Sequence, residues 1–343
     1  MQTTEANELY AGADLHGNNV FLSVCDHDGG NVFRRRVKTN LEAVNAALNP
    51  FWDRIRVLGV ESTFNWYWFV DGLREQGHNV KLGNPAKMEQ YSGIKITNDL
   101  SDAGWLAEQL RLGIFPECYV YPKETRSIRD ALRRRQLFVR RRTQVTLCLG
   151  GLLERYGLPS PSAAKVQKWT TTEIQTTGLD PWVQLQLETL LEAIKDSDRH
   201  AKKIEKQILA FVKPTDQYKR IILVSGIGMA LGMLIVLESG EFKRFPTAGD
   251  YASYCRTVKS VRTSNEKKKG SNNSKNGNKY LAWAFIEAAT FAARYNPCIH
   301  AWYEKKKRKS GVPKAKKALA CKLAKAVWHV MNGKDFDEKL MFG

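Results

Sequence analysis

Residues 9–82 switch back and forth between a two-residue and a three-to-four-residue hydrophobic period, and few folds accept that order. Leu9–Asp14 reads as a short strand. Val20, Leu22 and Val24 alternate with smaller or polar neighbours, as a half-buried strand does. Asp28-Gly29-Gly30 is a turn signal, so Val32–Val37 is the returning arm of a hairpin. Asn40 can cap a helix whose Leu41, Val44, Leu48, Phe51 and Trp52 fall at helical spacing. Arg56–Glu61 is the next strand, a helix follows at about 65–76, and Val80–Leu82 closes the pattern.

Further along, residues 99–112 read as a helix with Leu106 and Leu110 on one side, and 125–155 as one long helix. Pro159–Pro181 is a connector rich in Ser, Thr and Pro. Leu187, Leu190, Leu191, Ile194, Ala201, Ile204 and Ile208 then recur at helical spacing, with a break in the seam near Asp198. This coiled-coil-like helix fits an intramolecular strut and an oligomer contact equally. Val224–Phe245 sets a Gly-Ile-Gly turn ahead of a helix. It is either an ordinary helix start or a helix-hairpin-helix element whose Gly226 and Gly228 let backbone N–H groups approach a phosphate. Residues 258–279 are rich in Ser, Asn, Lys and Gly and read as a flexible basic loop. Helices at 280–295 and 318–331 are separated by a basic run at 304–317.

The fold class expected is therefore α/β at the amino terminus, of the RNase H/RuvC kind with a mixed sheet. A long helical segment and a mostly α carboxy-terminal domain follow. The expected boundaries are 1–158, 159–214 and 215–343.

A net charge of +19 on 343 residues favours a polyanionic partner, DNA or RNA. The long helix carries Arg133, Arg134, Arg135, Arg140, Arg141 and Arg142, either as a solvated basic face or as a phosphate-tracking one. The arginines outnumber nearby acids, which favours the second. Lys275 and Lys279 lie in or beside the basic loop, and Lys305, Lys306 and Lys307 begin a second cluster suited to strand binding. The six cysteines are scattered without a CxxC pair, so no zinc site is visible and a disulfide framework is not expected. The first residues have no apolar signal core, and the longest apolar run, Met229–Leu237, is too short to span a bilayer. A cytoplasmic protein with no membrane partner is the expectation.

Four carboxylates carry the chemistry. Asp14 ends the first strand, Glu61 ends a strand expected beside it, and Asp99 and Asp102 share one face of a helix start. Any one of them alone would be an ordinary cap or surface acid, and Asp99 reads well as an N-cap. Together they repel one another unless cations neutralise them, and hard oxygen ligands suit Mg²⁺ or Mn²⁺. Two such ions about 3.5–4 Å apart can activate an attacking oxygen and stabilise a leaving one in phosphodiester cleavage.

The segments YAGADLHGNNVFLSV, GVESTFNWYWFVDGL, NPAKMEQYSGIKITNDLSDAGWLAEQL and SKNGNKYLAWAFIEAA resemble the transposases of the insertion sequence one-ten and eleven-eleven family, in the same order and over nearly the whole chain. These DEDD recombinases also include pilin-gene invertases. The resemblance implies that Asp14, Glu61, Asp99 and Asp102 are the metal-binding carboxylates of a RuvC-like domain. It implies that Ser274 is a nucleophile that forms a covalent phosphoserine link to DNA, with Ser271 as the competing serine. It further implies a structured non-coding guide RNA, the bridge RNA, that selects donor and target DNA, and a homo-oligomer, dimer or tetramer, near the nucleoid. There are departures from the family pattern. Ser225 precedes Gly226-Ile227-Gly228 where proline is usual, Ala282 stands where arginine is common, and Asn18 where a lysine often follows the first aspartate.

Two other functions fit parts of this pattern. A RuvC-like nuclease or junction resolvase would use the carboxylates alone and leave no covalent adduct. A non-enzymatic nucleic-acid scaffold would carry a decayed metal site, which the intact set of four acids opposes.

Overall fold

The computed structural model describes residues 7–88, 99–259, 262–264, 267–270 and 276–343. It divides into two compact units, Met1–Val120 and Tyr121–Gly343.

The first unit is built on a five-stranded sheet. Its strands are β1 (Leu9–Leu15), β2 (Asn19–Asp26), β3 (Asn31–Lys38), β4 (Ile55–Glu61) and β5 (Val80–Gly83), in the order β3-β2-β1-β4-β5. β1–β2 and β2–β3 are antiparallel pairs, whereas β1–β4 and β4–β5 are parallel pairs. The sheet is mixed, as the order of periods requires. The β2–β3 turn is fixed by Asp26, whose carboxylate accepts the N–H groups of Asp28 and Gly30 at 3.0 and 2.7 Å, while Gly29 takes φ +87°. β3 is an edge strand, and the exposed Arg34, Arg35 and Arg36 on it discourage edge-to-edge pairing.

The two faces of the sheet carry different layers. Leu9, Ala11, Ala13 and Leu15 point into a core shared with α1 (Leu41–Leu48) and α2 (Trp66–Glu75) through Val44, Leu48, Phe69 and Leu73. Asn40 caps α1 by accepting the Ala43 N–H at 2.7 Å. The other face is covered by α3 (Asp99–Arg111), which lies over β1, β2 and β4. Glycine sets how closely it lies. A Cβ on Gly12 would stand 2.0 Å from the Ala103 carbonyl oxygen, and one on Gly59 would stand 2.8 Å from Leu110 and Phe115.

The second unit opens with α4 (Lys123–Arg155), then α5 (Ala163–Val166), α6 (Thr171–Gln175) and α7 (Pro181–Val212). The expected connector thus holds two short helices. α4 and α7 pack antiparallel, with Arg135 meeting Glu205 and Arg142 meeting Asp198. The seam of α7 is filled by its own chain: Leu187, Leu191 and Ile194 join Leu149 and Leu153 of α4. The break at Asp198 is where Arg142 takes the place of an apolar partner.

Next come α8 (Asp216–Ile221), α9 (Met229–Ser239) and α10 (Ala248–Tyr254). α9 is the apolar run of the sequence, and it is buried nearly all round because it forms the centre of this unit. Within the expected basic loop, β6 (Arg262–Ser264) and β7 (Lys267–Gly270) pair antiparallel. Then follow α11 (Lys279–Tyr295), α12 (Pro297–Ser310), α13 (Val312–Met331) and α14 (Glu338–Phe342). The basic run at 304–317 is helical, because Asn296 caps α12 and Pro297 and Pro313 occupy first-turn positions where proline's missing donor costs nothing. Among the described residues, no helix is long and apolar enough to cross a membrane.

Candidate active site

The acids of the first unit follow from its glycines. Gly12 and Gly59 sit opposite each other in the parallel β1–β4 ladder, and both face α3. Strand side chains alternate, so Asp14 and Glu61, two residues on, emerge on that same face at the carboxyl ends of the strands. α3 begins there with Asp99 and carries Asp102 one turn in. The side chain of Asp99 lies outside the described residues.

Electrostatics register the convergence of the other three. Burial pushes the Glu61 carboxyl above its ordinary value, and the charges of Asp14 and Asp102 push it further. Asp14 is 14% exposed and holds His16 Nε2 at 2.9 Å, while the backbone carbonyl of His16 accepts from Asn65 at 3.0 Å. His16 went unmarked in the sequence reading, although an imidazole two residues beyond a strand-end aspartate is a visible signal. Among the described residues, no three His, Cys, Asp or Glu side chains form a ready-made metal cage. The donor set nevertheless fits a hard divalent cation. Burial and the charges of Asp14 and Asp102 raise the proton affinity of the half-buried Glu61, and that repulsion is relieved when a cation enters.

Residues 11–158 match the DEDD transposase model of the IS110 group, and residues 218–304 match the transposase IS116/IS110/IS902 family. The chain belongs to the IS110/IS1111 family of transposases. A probable family 20 transposase of Pseudomonas aeruginosa is 24% identical over 243 residues, covering 69% of this chain and 71% of the relative. The transposase for insertion sequence element IS1111A of Coxiella burnetii is 22% identical over 328 residues, covering 93% of this chain and 88% of the relative. This transposase is thus an enzyme acting on DNA in transposition, and its DEDD domain implies dependence on a divalent metal.

The serine block of the transposase is described only from its downstream side. Ser271, Ser274 and Lys275 lie outside the described residues. Gly277 and Asn278 are firmly placed. Arg256 donates to the Gly277 carbonyl at 3.0 and 2.7 Å, and the Asn278 N–H donates to the Tyr254 carbonyl at 2.6 Å. Gly277 has φ +93° and no room for a Cβ, which would stand 2.5 Å from Tyr254 O. The Asn278 side chain caps α11 through the N–H groups of Tyr280 and Leu281 and donates to Glu238 at 2.8 Å.

The six arginines of α4 divide into two sets. Arg133 closes on Glu238, Arg135 on Glu205 and Arg142 on Asp198, all within the unit. The sequence reading set these three on a phosphate-tracking face, but their side chains are committed to internal carboxylates. Arg134, Arg140 and Arg141 are exposed. Arg129, which the sequence reading passed over, is a second partner of Glu238 at 3.0 Å.

The glycines of the Gly-Ile-Gly turn divide as well. Gly226 has φ +86°, and a Cβ there would stand 2.2 Å from the Ala288 carbonyl of α11. Its smallness serves helix packing. Gly228 precedes α9 and has nothing within 4 Å of a Cβ, so its backbone is open. Lys279, Lys305 and Lys306 are exposed, while Lys307 pairs with Glu304 at 2.8 Å.

Proposed function

We propose that the transposase cuts and rejoins DNA strands at a composite site. Asp14, Glu61, Asp99 and Asp102 hold divalent ions, two Mg²⁺ with Mn²⁺ as a substitute, and Ser274 is the nucleophile. The observation that carries this reading is Glu61, whose proton affinity is raised by burial and further by the charges of Asp14 and Asp102. When bound, the ions neutralise the carboxylates and phosphate and ease ionisation of the attacking hydroxyl.

The residues of the chain do the rest. Asp14, Glu61, Asp99 and Asp102 would hold the ions at the strand ends, and the ions would offset the charge of a phosphodiester there. His16 holds Asp14 in place. The Ser274 oxygen forms a bond to phosphorus, the DNA P–O bond breaks, the serine proton leaves, and the released strand oxygen takes up a proton. Rejoining runs the same exchange with a new strand, so the bond energy is conserved in the phosphoserine.

The charge of +19 supports a second polyanion beside the DNA. We assign that role to a structured guide RNA that pairs with donor and target. Functional domains at 1–158, 159–214 and 215–343, a helix-hairpin-helix at α8–α9, a coiled-coil segment at α7 and a dimer or tetramer working at the nucleoid complete the reading. In it, exposed Arg134, Arg140, Arg141, Lys279, Lys305 and Lys306, with Lys275 and the open backbone at Gly228, contact nucleic acid.

The test is a denaturing gel of end-labelled element DNA incubated with the protein and its co-expressed RNA. A protein–DNA adduct is expected that Ser274→Ala removes and Ser271→Ala leaves intact. Strand cleavage without any adduct would instead establish hydrolysis by water, as in a junction resolvase.

A further inference from the structure

α7 carries a basic stripe that no part of the cleavage chemistry uses. Lys195, Arg199, Lys202 and Lys206 follow one another at steps of four, three and four, so they share one helix face. All four are exposed, Arg199 at 71% and Lys202 at 73% of the side chain. With Lys168 and Lys203 they line an open groove of about 700 Å³ between α7 and the α5 region. Ile194 and Ala164 form part of its lining, beside those six cations.

We infer that this groove binds the phosphodiester backbone of a nucleic-acid strand, without reading its sequence. Lysine dominates, and an ammonium recognises a phosphate as a point charge with no preference for a base edge. The stripe runs from Lys195 to Lys206, eleven helical steps and about 16 Å at about 1.5 Å per step. At one charge per roughly 3.4 Å along each strand of a duplex, that length faces about five phosphates.

The acids on or beside the groove do not cancel the stripe. Asp198 is 14% exposed, faces Arg142 from α4, and meets Lys202 at 2.7 Å. Asp196 meets Arg199 at 2.9 Å in a solvent-exposed pair. Exposed pairs of this kind are weak and exchange readily for a phosphate. The inference is independent of the serine step, since none of the groove residues takes part in it.

The experiment compares the full chain with a variant carrying Lys195→Gln, Arg199→Gln, Lys202→Gln and Lys206→Gln. Binding is measured against salt for three probes: a short duplex DNA, the same single strand, and an RNA stem-loop. The inference predicts that the salt slope falls by about 3 to 4 for the probe that occupies the groove, and that affinity at about 0.1 M salt falls at least tenfold. The probe affected identifies the source of the backbone. A control with Lys195→Arg, Lys202→Arg and Lys206→Arg retains the slope. Acetylation footprinting of the unaltered protein supplies a second reading, in which the bound probe protects Lys195, Lys202 and Lys206. An unchanged slope with all three probes, or equal acetylation with and without them, overturns the inference.

Discussion

Arg133 and Glu238 form a two-pronged ion pair, with Nε donating at 2.6 Å and Nη2 at 2.8 Å, around a carboxylate that is wholly buried. Arg129 and Asn278 complete the shell. The pair ties α4 to α9, and through Asn278 it also fixes the start of α11. Leaving a buried charge wholly uncompensated costs about 3–5 kcal/mol. Arg129 still faces Glu238 at 3.0 Å, so Arg133→Ala is expected to lower unfolding stability by less than that, about 1–3 kcal/mol, in urea denaturation. Arg134→Ala, one residue on but exposed, is expected to change it by less than about 0.5 kcal/mol. Equal effects would show that Glu238 does not depend on Arg133.

The same cluster sets a pH dependence. Burial alone pushes the Glu238 carboxyl up, but the Arg133 hydrogen bond and the charges of Arg129 and Arg133, with Asn278, hold it below the ordinary glutamate value of 4.5. As pH falls, the unfolded chain takes up this proton before the folded one does. The stabilisation is complete above about 4.5 and is lost as pH drops through the folded carboxyl's own lower value. Thermal melts from neutral to acid pH are expected to show a loss below about pH 4.5 that Glu238→Gln flattens. Identical acid profiles for the two proteins would exclude this origin.

Gly12 sets the seat of α3 on the sheet. A Cβ there would stand 2.0 Å from the Ala103 carbonyl and 2.7 Å from the Ala107 nitrogen, both of them backbone. Gly12→Ala is expected to destabilise by about 1–3 kcal/mol. It is also expected to lower strand cleavage, because α3 must shift and carry Asp102 with it. Gly17→Ala has nothing within 4 Å and is the control for a glycine in open space. Cleavage by Gly12→Ala at the normal rate would mean that the helix seat does not position the acid.

Thiol reactivity should follow burial. Cys148 is exposed, while Cys25 and Cys255 are buried. Burial, with Glu108 adding to it, pushes the Cys25 thiol up to about 11, and burial raises Cys255 as well. A disulfide reagent applied to the native protein at neutral pH is expected to label Cys148 first, and Cys25 and Cys255 only on unfolding. Early labelling of Cys255 would contradict the packing around α10.

The sheet was legible because a two-residue period is local and the Asp28-Gly29-Gly30 turn punctuates it. Asp14 and Glu61 were legible as strand-end acids for the same reason. Their shared face was also written in the sequence, two residues upstream of each, as Gly12 and Gly59. The arginines were not legible. Arg133, Arg135 and Arg142 find partners 105, 70 and 56 residues away. Charge counting within one helix has no access to such distances. The packing role of Gly226 was hidden for a related reason: its need for glycine comes from Ala288 on a later helix. The basic run at 304–317 was read by its charge alone, and its helices follow from the capping signals at Asn296 and Pro297.

Strand cleavage by a Glu61→Gln variant tests the central claim most directly. Labelled element DNA is incubated with the protein, its RNA and Mg²⁺, and nicked strands are counted on a denaturing gel beside a DNA-binding measurement on the same preparations. The amide keeps the shape of Glu61 but removes the charge that Asp14 and Asp102 oppose. The account predicts unchanged DNA binding and at least a hundredfold loss of cleavage, the order of effect of removing an electrostatic catalytic group. Cleavage by Glu61→Gln at the unaltered rate would contradict it.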